Sequence, residues 1–119
     1  MRRDYRLYID DILQSIDRVE RYTKGMDHDI FASDEKTVDA VVRNLEVIGE
    51  AARNIPDSTR EKAPEIDWRK IVALRNVLAH EYFGINSHIV WDIVQTKLQP
   101  LRDVCTTILL HDEASEGGE

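Results

Sequence analysis

The apolar residues of the chain recur at intervals of three and four in four long segments, which is the spacing of one face of a helix. The first face consists of Tyr5, Ile9, Ile12, Ile16 and Val19, and the second of Val38, Val41, Leu45, Ile48, Ala52 and Ile55. The third consists of Trp68, Ile71, Leu74 and Leu78, and the fourth of Val90, Val94, Leu98, Leu101, Cys105 and Ile108. No segment alternates apolar and polar residues as a strand would. The pattern therefore predicts an all-α protein.

Capping residues and prolines place the ends of the first helices. Gly25 follows the first helix, where a left-handed cap favours glycine. Asp34 can cap the start of the second helix, and Pro56 ends it. Ser58 and Glu61 have the spacing of a capping box, which predicts a short extra helix before Pro64.

The second half of the chain carries similar boundary signals. Asp67 can cap the third helix, and Gly84 closes it. Asn86 or Ser87 opens the last helix, which Pro100 should kink because proline cannot donate to the carbonyl of Thr96. We therefore predict an antiparallel four-helix-type bundle with an extra short helix. Residues 1–111 form its single domain, and residues 112–119 form a disordered acidic tail.

Composition narrows the class of protein. The chain has 119 residues, a single cysteine and a formal net charge of −7. One cysteine excludes a disulfide framework and a cysteine-based zinc site, and the acidic balance excludes a polycationic nucleic-acid coat. No apolar run is long enough to span a bilayer, and aspartates interrupt any signal-peptide core near the N-terminus. A cytoplasmic protein without a membrane segment is expected.

The residues best suited to chemistry lie between Arg75 and Tyr82. On a helix, Arg75 and Tyr82 share one stripe, whereas Asn76 and His80 share the neighbouring one. Arginine can bind phosphate oxygens in bidentate fashion, and histidine transfers protons near neutral pH. A purely structural interpretation is also open, in which Tyr82 packs, Arg75 pairs with an acid and His80 caps the helix.

The same residues resemble a known family. The segment Arg75–Tyr82, with sequence RNVLAHEY, has the form R-x-x-x-x-H-x-Y and resembles the motif of the HepT-like HEPN ribonuclease toxins. The stretches 44–56 (NLEVIGEAARNIP), 64–76 (PEIDWRKIVALRN) and 88–94 (HIVWDIV) resemble that family's second helix, its approach to the motif and its last helix. The resemblance extends from about residue 4 to about residue 110.

The resemblance implies a HEPN-like fold and a metal-independent endoribonuclease that needs no cofactor. Arg75, Asn76 and His80 would be its catalytic residues. It further implies a homodimer with the cleft between the protomers, which agrees with the chemistry, because one histidine cannot easily be both acid and base. The family's partner is a minimal nucleotidyltransferase antitoxin, as in a type VII-like toxin–antitoxin system. This partner would adenylylate Tyr82 with its own metal and ATP.

Two other functions remain open from the sequence. The chain would alternatively be a non-catalytic helical module that binds and regulates a nucleotidyltransferase. The pairing of Arg75 with His80 favours the ribonuclease, whereas the net acidic charge favours the module. A purely structural bundle would leave the polar cluster without a role.

Several further residues carry weaker expectations. Glu46 and Glu50 should be solvated or paired with Arg43 and Arg53. Gly49 is costly inside a helix, so a close helix–helix contact should explain it, with the dimer interface as one place for that contact.

We expect no chemical role for the remaining histidines, the tryptophans and the cysteine. The histidines outside the motif lack metal-ligand spacing and should lie on the surface; they are His28, His88 and His111. Trp68 and Trp91 should be in the core, and Cys105 should be buried and unreactive.

Overall fold

The structure is a computed structural model that describes the backbone of residues 4–80 and 86–117 and the side chains of residues 4–78 and 86–112. Within these residues the chain forms seven helices and no strand. They are α1 (Tyr5–Thr23), α2 (His28–Ser33), α3 (Glu35–Arg53), α4 (Asp57–Arg60), α5 (Trp68–His80), α6 (Ser87–Thr96) and α7 (Leu98–Gly117). The all-α prediction is confirmed.

Helix α3 is central to the packing. It packs along α1 on one side and along α5 on the other, while α7 packs against α1. The predicted faces form the core, with Ile12, Leu45 and Leu101 fully buried. Tyr5, Val38, Leu74 and Val94, at the edges of their faces, are only partly buried. Trp68 is buried, and Trp91 is partly buried against Phe31 with ring centroids 5.0 Å apart.

Most of the predicted helix boundaries are present. Gly25 has a φ of +79°, the left-handed conformation expected after α1. Asp34 accepts from the Thr37 amide at 3.1 Å, and Asp67 accepts from the Lys70 amide at 3.3 Å. Asn86 caps α6 by accepting from the amide of residue 88 at 2.8 Å. The predicted end at Gly84 lies outside the described residues.

The short helix α4 differs from the prediction at its start. It begins at Asp57, directly after Pro56, and no side chain caps it. Ser58 is therefore inside the helix rather than at its cap. Pro56 explains the difference, because it occupies the cap position without a side-chain acceptor, and its backbone carbonyl accepts from the amides of Thr59 and Arg60.

The predicted last helix is divided in two. Helix α6 ends at Thr96 and α7 begins at Leu98, with Lys97 between them. Pro100, in the first turn of α7, explains the break, because it cannot donate to the Thr96 carbonyl.

Two other segments differ from the prediction. Helix α2 was not predicted, because six residues are too short to show a period; Asp27 caps it by accepting from the Ile30 amide at 2.8 Å. The tail was expected to be disordered from Asp112, whereas α7 continues as helix to Gly117. Residues 112–116 contain neither glycine nor proline, so the sequence does not interrupt the helix before Gly117.

No helix in the described part of the chain has both the length and the apolar character required to cross a bilayer.

Cys105 provides a test of the core. It is fully buried, and burial raises the pKa of its thiol from 9.0 to about 12. Because only the thiolate attacks a disulfide reagent, the native protein at about pH 8 holds roughly a thousandfold less reactive thiolate than an unfolded chain. We expect an aromatic disulfide to label Cys105 only as fast as the protein unfolds, and at once in guanidinium chloride. Rapid labelling with an unchanged circular dichroism spectrum would contradict this packing.

Candidate active site

Helix α5 positions the first half of the motif. Its start is held by the Asp67 cap and by Trp68, whose indole N–H donates to the Ala63 carbonyl at 3.1 Å. Ile71 and Leu78 are buried on its inner face. This orientation turns residues 75–77 toward solvent.

The backbones of α3 and α5 meet at Gly49. A Cβ atom at Gly49 would lie 2.8 Å from the backbone nitrogen of Arg75 and 3.1 Å from the carbonyl oxygen of Ile71. The first distance is shorter than real Cβ contacts, so the backbone would have to move, and the second is tighter than most of them. The close contact predicted for Gly49 is therefore confirmed, but the contact lies between two helices of the same chain and does not require a dimer interface.

Arg75 faces an acid on α3. Its Nε lies 3.3 Å from Oε2 of Glu50, and the two side chains are 52% and 48% exposed. Glu50 is therefore solvated, as one of the two expectations had it, but the base beside it is Arg75 rather than Arg43 or Arg53. Glu46 lies 3.7 Å from Arg43, as expected. An ion pair this exposed contributes only about 0.2–1 kcal/mol to stability. The pair thus leaves Arg75 accessible to an anion.

A shallow cavity of about 230 Å³ lies beside this ion pair, between α1 and α3. Tyr8 and Asp11 of α1 line one side, and the α3 side chains and Arg75 line the rest. The candidate site therefore opens to solvent on the side of Arg75 that faces α1.

The remaining motif residues are described only in part. Asn76 is exposed, directly beside Arg75. His80 is the last residue of α5, so its Cα lies about 7.5 Å further along the helix axis than that of Arg75. The side chain of His80 and the whole of Tyr82 lie outside the described residues. The structure thus brings Arg75 and Asn76 together on an exposed helix face and adds Glu50, which the sequence analysis did not assign to the site.

The histidines outside the motif include one unexpected pair. His28 and His88 stack with ring centroids 3.7 Å apart, and His28 Nε2 lies 3.1 Å from the Ser87 hydroxyl. His28 is thus partly covered, contrary to the expectation of a surface position, because α2 packs on α6. His88 and His111 are exposed as expected. Among the described residues, no cluster of histidine, cysteine, aspartate and glutamate could hold a metal ion.

Comparison with known proteins agrees with this arrangement. The family model described as "Ribonuclease HepT-like" matches residues 12–108, which include both α3 and α5. The chain belongs to the ribonuclease HepT-like family. This is the family whose motif the segment Arg75–Tyr82 resembles, so the family assignment made from the sequence is confirmed.

Individual relatives in the HepT-like family cover most of the chain. "Putative RNase MJ0127" of Methanocaldococcus jannaschii is 43% identical over 97 residues, which are 82% of this chain and 80% of that protein. "Probable ribonuclease HepT" of Thermococcus cleftensis is 37% identical over 102 residues, 86% of this chain and 93% of that protein. "Putative RNase TTE0752" of Caldanaerobacter subterraneus is 36% identical over 104 residues, 87% and 93% of the two chains. No solved structure matches the chain significantly.

The contact at Gly49 gives a prediction for this HepT-like chain. Replacing glycine by alanine inside an exposed helix normally stabilises a protein by about 1 kcal/mol. In Gly49→Ala, the new Cβ instead meets the α5 backbone, and overpacking of this kind costs about 1–3 kcal/mol. We expect a lower free energy of unfolding in urea, whereas Lys36→Ala, at an exposed position of α3, should change it by less than about 0.5 kcal/mol. A more stable Gly49→Ala protein would contradict the close approach.

Proposed function

We propose that this chain is the toxin of a toxin–antitoxin pair, an endoribonuclease that cleaves RNA without a metal ion. The observation that carries the proposal is the exposed position of Arg75 and Asn76 on a helix held rigidly against α3, one turn before His80. Membership of the ribonuclease HepT-like family supports RNA as the substrate. A local cationic site of this kind needs no basic protein overall, since it contacts one phosphate group rather than a long strand.

The proposed reaction is an attack of the RNA 2′-hydroxyl on the adjacent phosphorus. A bond forms between O2′ and phosphorus, and the bond between phosphorus and O5′ breaks. A neutral imidazole takes the proton of the 2′-hydroxyl, and an imidazolium gives a proton to O5′. The Arg75 guanidinium stabilises the charge that develops on the phosphate oxygens, and Asn76 orients the imidazole of His80 or the phosphate.

Two histidines are required at once in this scheme, and each motif supplies one. We therefore include a two-fold homodimer in the proposal, with two α5 helices facing one cleft. Val77 supports such a contact, because it is an apolar side chain that is 53% exposed and follows Arg75 and Asn76 directly. Burial of Val77 would also exclude water from the reacting phosphate.

The proposed regulation acts on Tyr82. A minimal nucleotidyltransferase would position ATP so that the Tyr82 phenol attacks the α-phosphorus and pyrophosphate leaves. The resulting phosphodiester places a negative charge two residues beyond His80, where it competes with RNA for Arg75. The metal ion of this step belongs to the partner.

Substitution of His80 tests the nuclease. We expect His80→Ala to lose at least about 100-fold in the rate of RNA cleavage in EDTA, because general acid–base catalysis contributes about 10²–10⁴. Circular dichroism should show an unchanged helix content. Cleavage by the mutant at the wild-type rate would contradict the mechanism, as would wild-type activity that appears only after a metal ion is added. Binding of a nucleotidyltransferase by a chain without nuclease activity would support the non-catalytic module instead.

Substitution of Tyr82 tests the regulation. Tyr82→Phe keeps the ring and removes the hydroxyl that would accept the nucleotide. After incubation with the partner, ATP and Mg²⁺, the wild-type chain should gain one or more adenylate masses and lose activity. The mutant should gain none and should continue to cleave RNA. An adenylate found on another residue of the mutant would show that Tyr82 is not the acceptor.

A further inference from the structure

The contact between Glu50 and Arg75 involves one particular nitrogen of the guanidinium group. Oε2 of Glu50 lies 3.3 Å from Nε, the nitrogen nearest the side-chain stem. Arginine has five N–H donors, of which Nε carries one and the two terminal nitrogens carry four. A carboxylate beside Nε therefore leaves the terminal N–H groups for a second anion.

We propose that Glu50 is the positioning residue of Arg75, holding its guanidinium so that the terminal N–H groups face the scissile phosphate. This inference rests on the proposed function, because it assigns a role to Glu50 in the same site. Glu50 touches neither the RNA nor the reacting atoms in this proposal. Its effect on catalysis passes through Arg75.

Glu50 is well placed for this role because its backbone cannot move relative to that of Arg75. Gly49, the preceding residue, is in close backbone contact with Arg75, so the two Cα atoms are held at a fixed separation. The parts of the arrangement that can still rotate are the two side chains, of which the arginine is the longer. The Glu50 carboxylate on α3 limits the mobility of the Arg75 side chain before the substrate binds. Such preorganisation lowers the entropic cost of reaching the transition state.

An opposite role for Glu50 is physically reasonable and can be tested. A carboxylate beside a cation also competes with phosphate for that cation. If competition dominated, removal of Glu50 would strengthen RNA binding and raise activity. The contact at Nε favours positioning, because the carboxylate lies beside the nitrogen that carries only one of the five N–H groups.

Three variants separate these roles. Glu50→Ala removes the contact, and Glu50→Gln keeps a side-chain oxygen that can lie beside Nε while removing the charge. Glu35→Ala is the matched control, since Glu35 is an exposed carboxylate in the first turn of α3 and does not line the cavity beside Arg75. All three are expected to fold, because exposed ion pairs contribute little to stability.

We expect Glu50→Ala to lower kcat by about 10- to 100-fold, the range reported for small misplacements of a catalytic group. KM for RNA should stay the same or fall, because a negative charge is removed beside Arg75. Glu50→Gln should recover most of the lost kcat, and Glu35→Ala should resemble the wild type. Unchanged or higher activity in Glu50→Ala would overturn the proposal in favour of competition. Equal losses in the alanine and glutamine variants would overturn it in favour of a direct role for the Glu50 charge.

A second measurement does not depend on activity. The Nε–H resonance of Arg75 in a ¹⁵N–¹H spectrum is assigned by its disappearance in Arg75→Lys. Its exchange with water should be slow in the wild type and in Glu50→Gln, and faster in Glu50→Ala. Equal exchange in all three would show that Glu50 does not order Arg75. If the wild type and His80→Ala cleave RNA equally poorly, the proposed function fails, while this spectrum still reports whether Glu50 positions Arg75.

Discussion

The close approach of α3 and α5 at Gly49 determines where Arg75 lies relative to Glu50. Helix α5 follows α3 only after α4 and a loop, yet its backbone at Arg75 comes within 2.8 Å of the place where a Cβ of residue 49 would be. Glycine inside a helix costs about 1 kcal/mol relative to alanine. Here that cost is offset by a contact that no other residue would permit. The depth of Arg75 in the surface and its distance from Glu50 both follow from it.

On the proposed function, this contact explains how an acidic chain could present a site for a phosphate group. The net charge of −7 opposes general attraction of RNA, so affinity must come from a few fixed groups rather than from the overall field. Arg75 is half exposed and has one carboxylate beside it, at Nε. Its remaining donors keep the planar geometry that suits phosphate oxygens. On the described surface, an anion would therefore bind through the fixed position of the Arg75 guanidinium rather than through an excess of basic residues.

Local features of the fold were predictable from the sequence, whereas contacts between distant residues were not. The periods of three and four identify the buried faces, and Asp34, Asp67 and Asn86 act as caps because capping depends on neighbouring residues alone. The contact of Glu50 with Arg75 was not predicted, because the sequence displays only pairs three or four residues apart and Arg75 is on another helix. For the same reason, the sequence indicated that position 49 requires glycine, but it did not indicate which residue of α5 this glycine contacts. Helix α2 has one local signal in the sequence, its cap at Asp27. Because the helix has only six residues, it shows no period, and the cap alone does not predict a helix.

The exposure of the described site residues also bears on what a second protomer would contribute. Arg75, Asn76 and Val77 lie on the outer face of α5, so in a single chain the Arg75 guanidinium is in contact with bulk water. Water weakens the interaction of a guanidinium with a developing charge, because the effective dielectric constant at such a surface is high. On the proposed function, a second protomer therefore does more than add a second histidine. By covering Val77 it would lower the local dielectric constant around both Arg75 side chains, and the same ion would then stabilise the transition state more strongly. The lone protomer and the dimer would thus differ in the strength of each catalytic group as well as in their number.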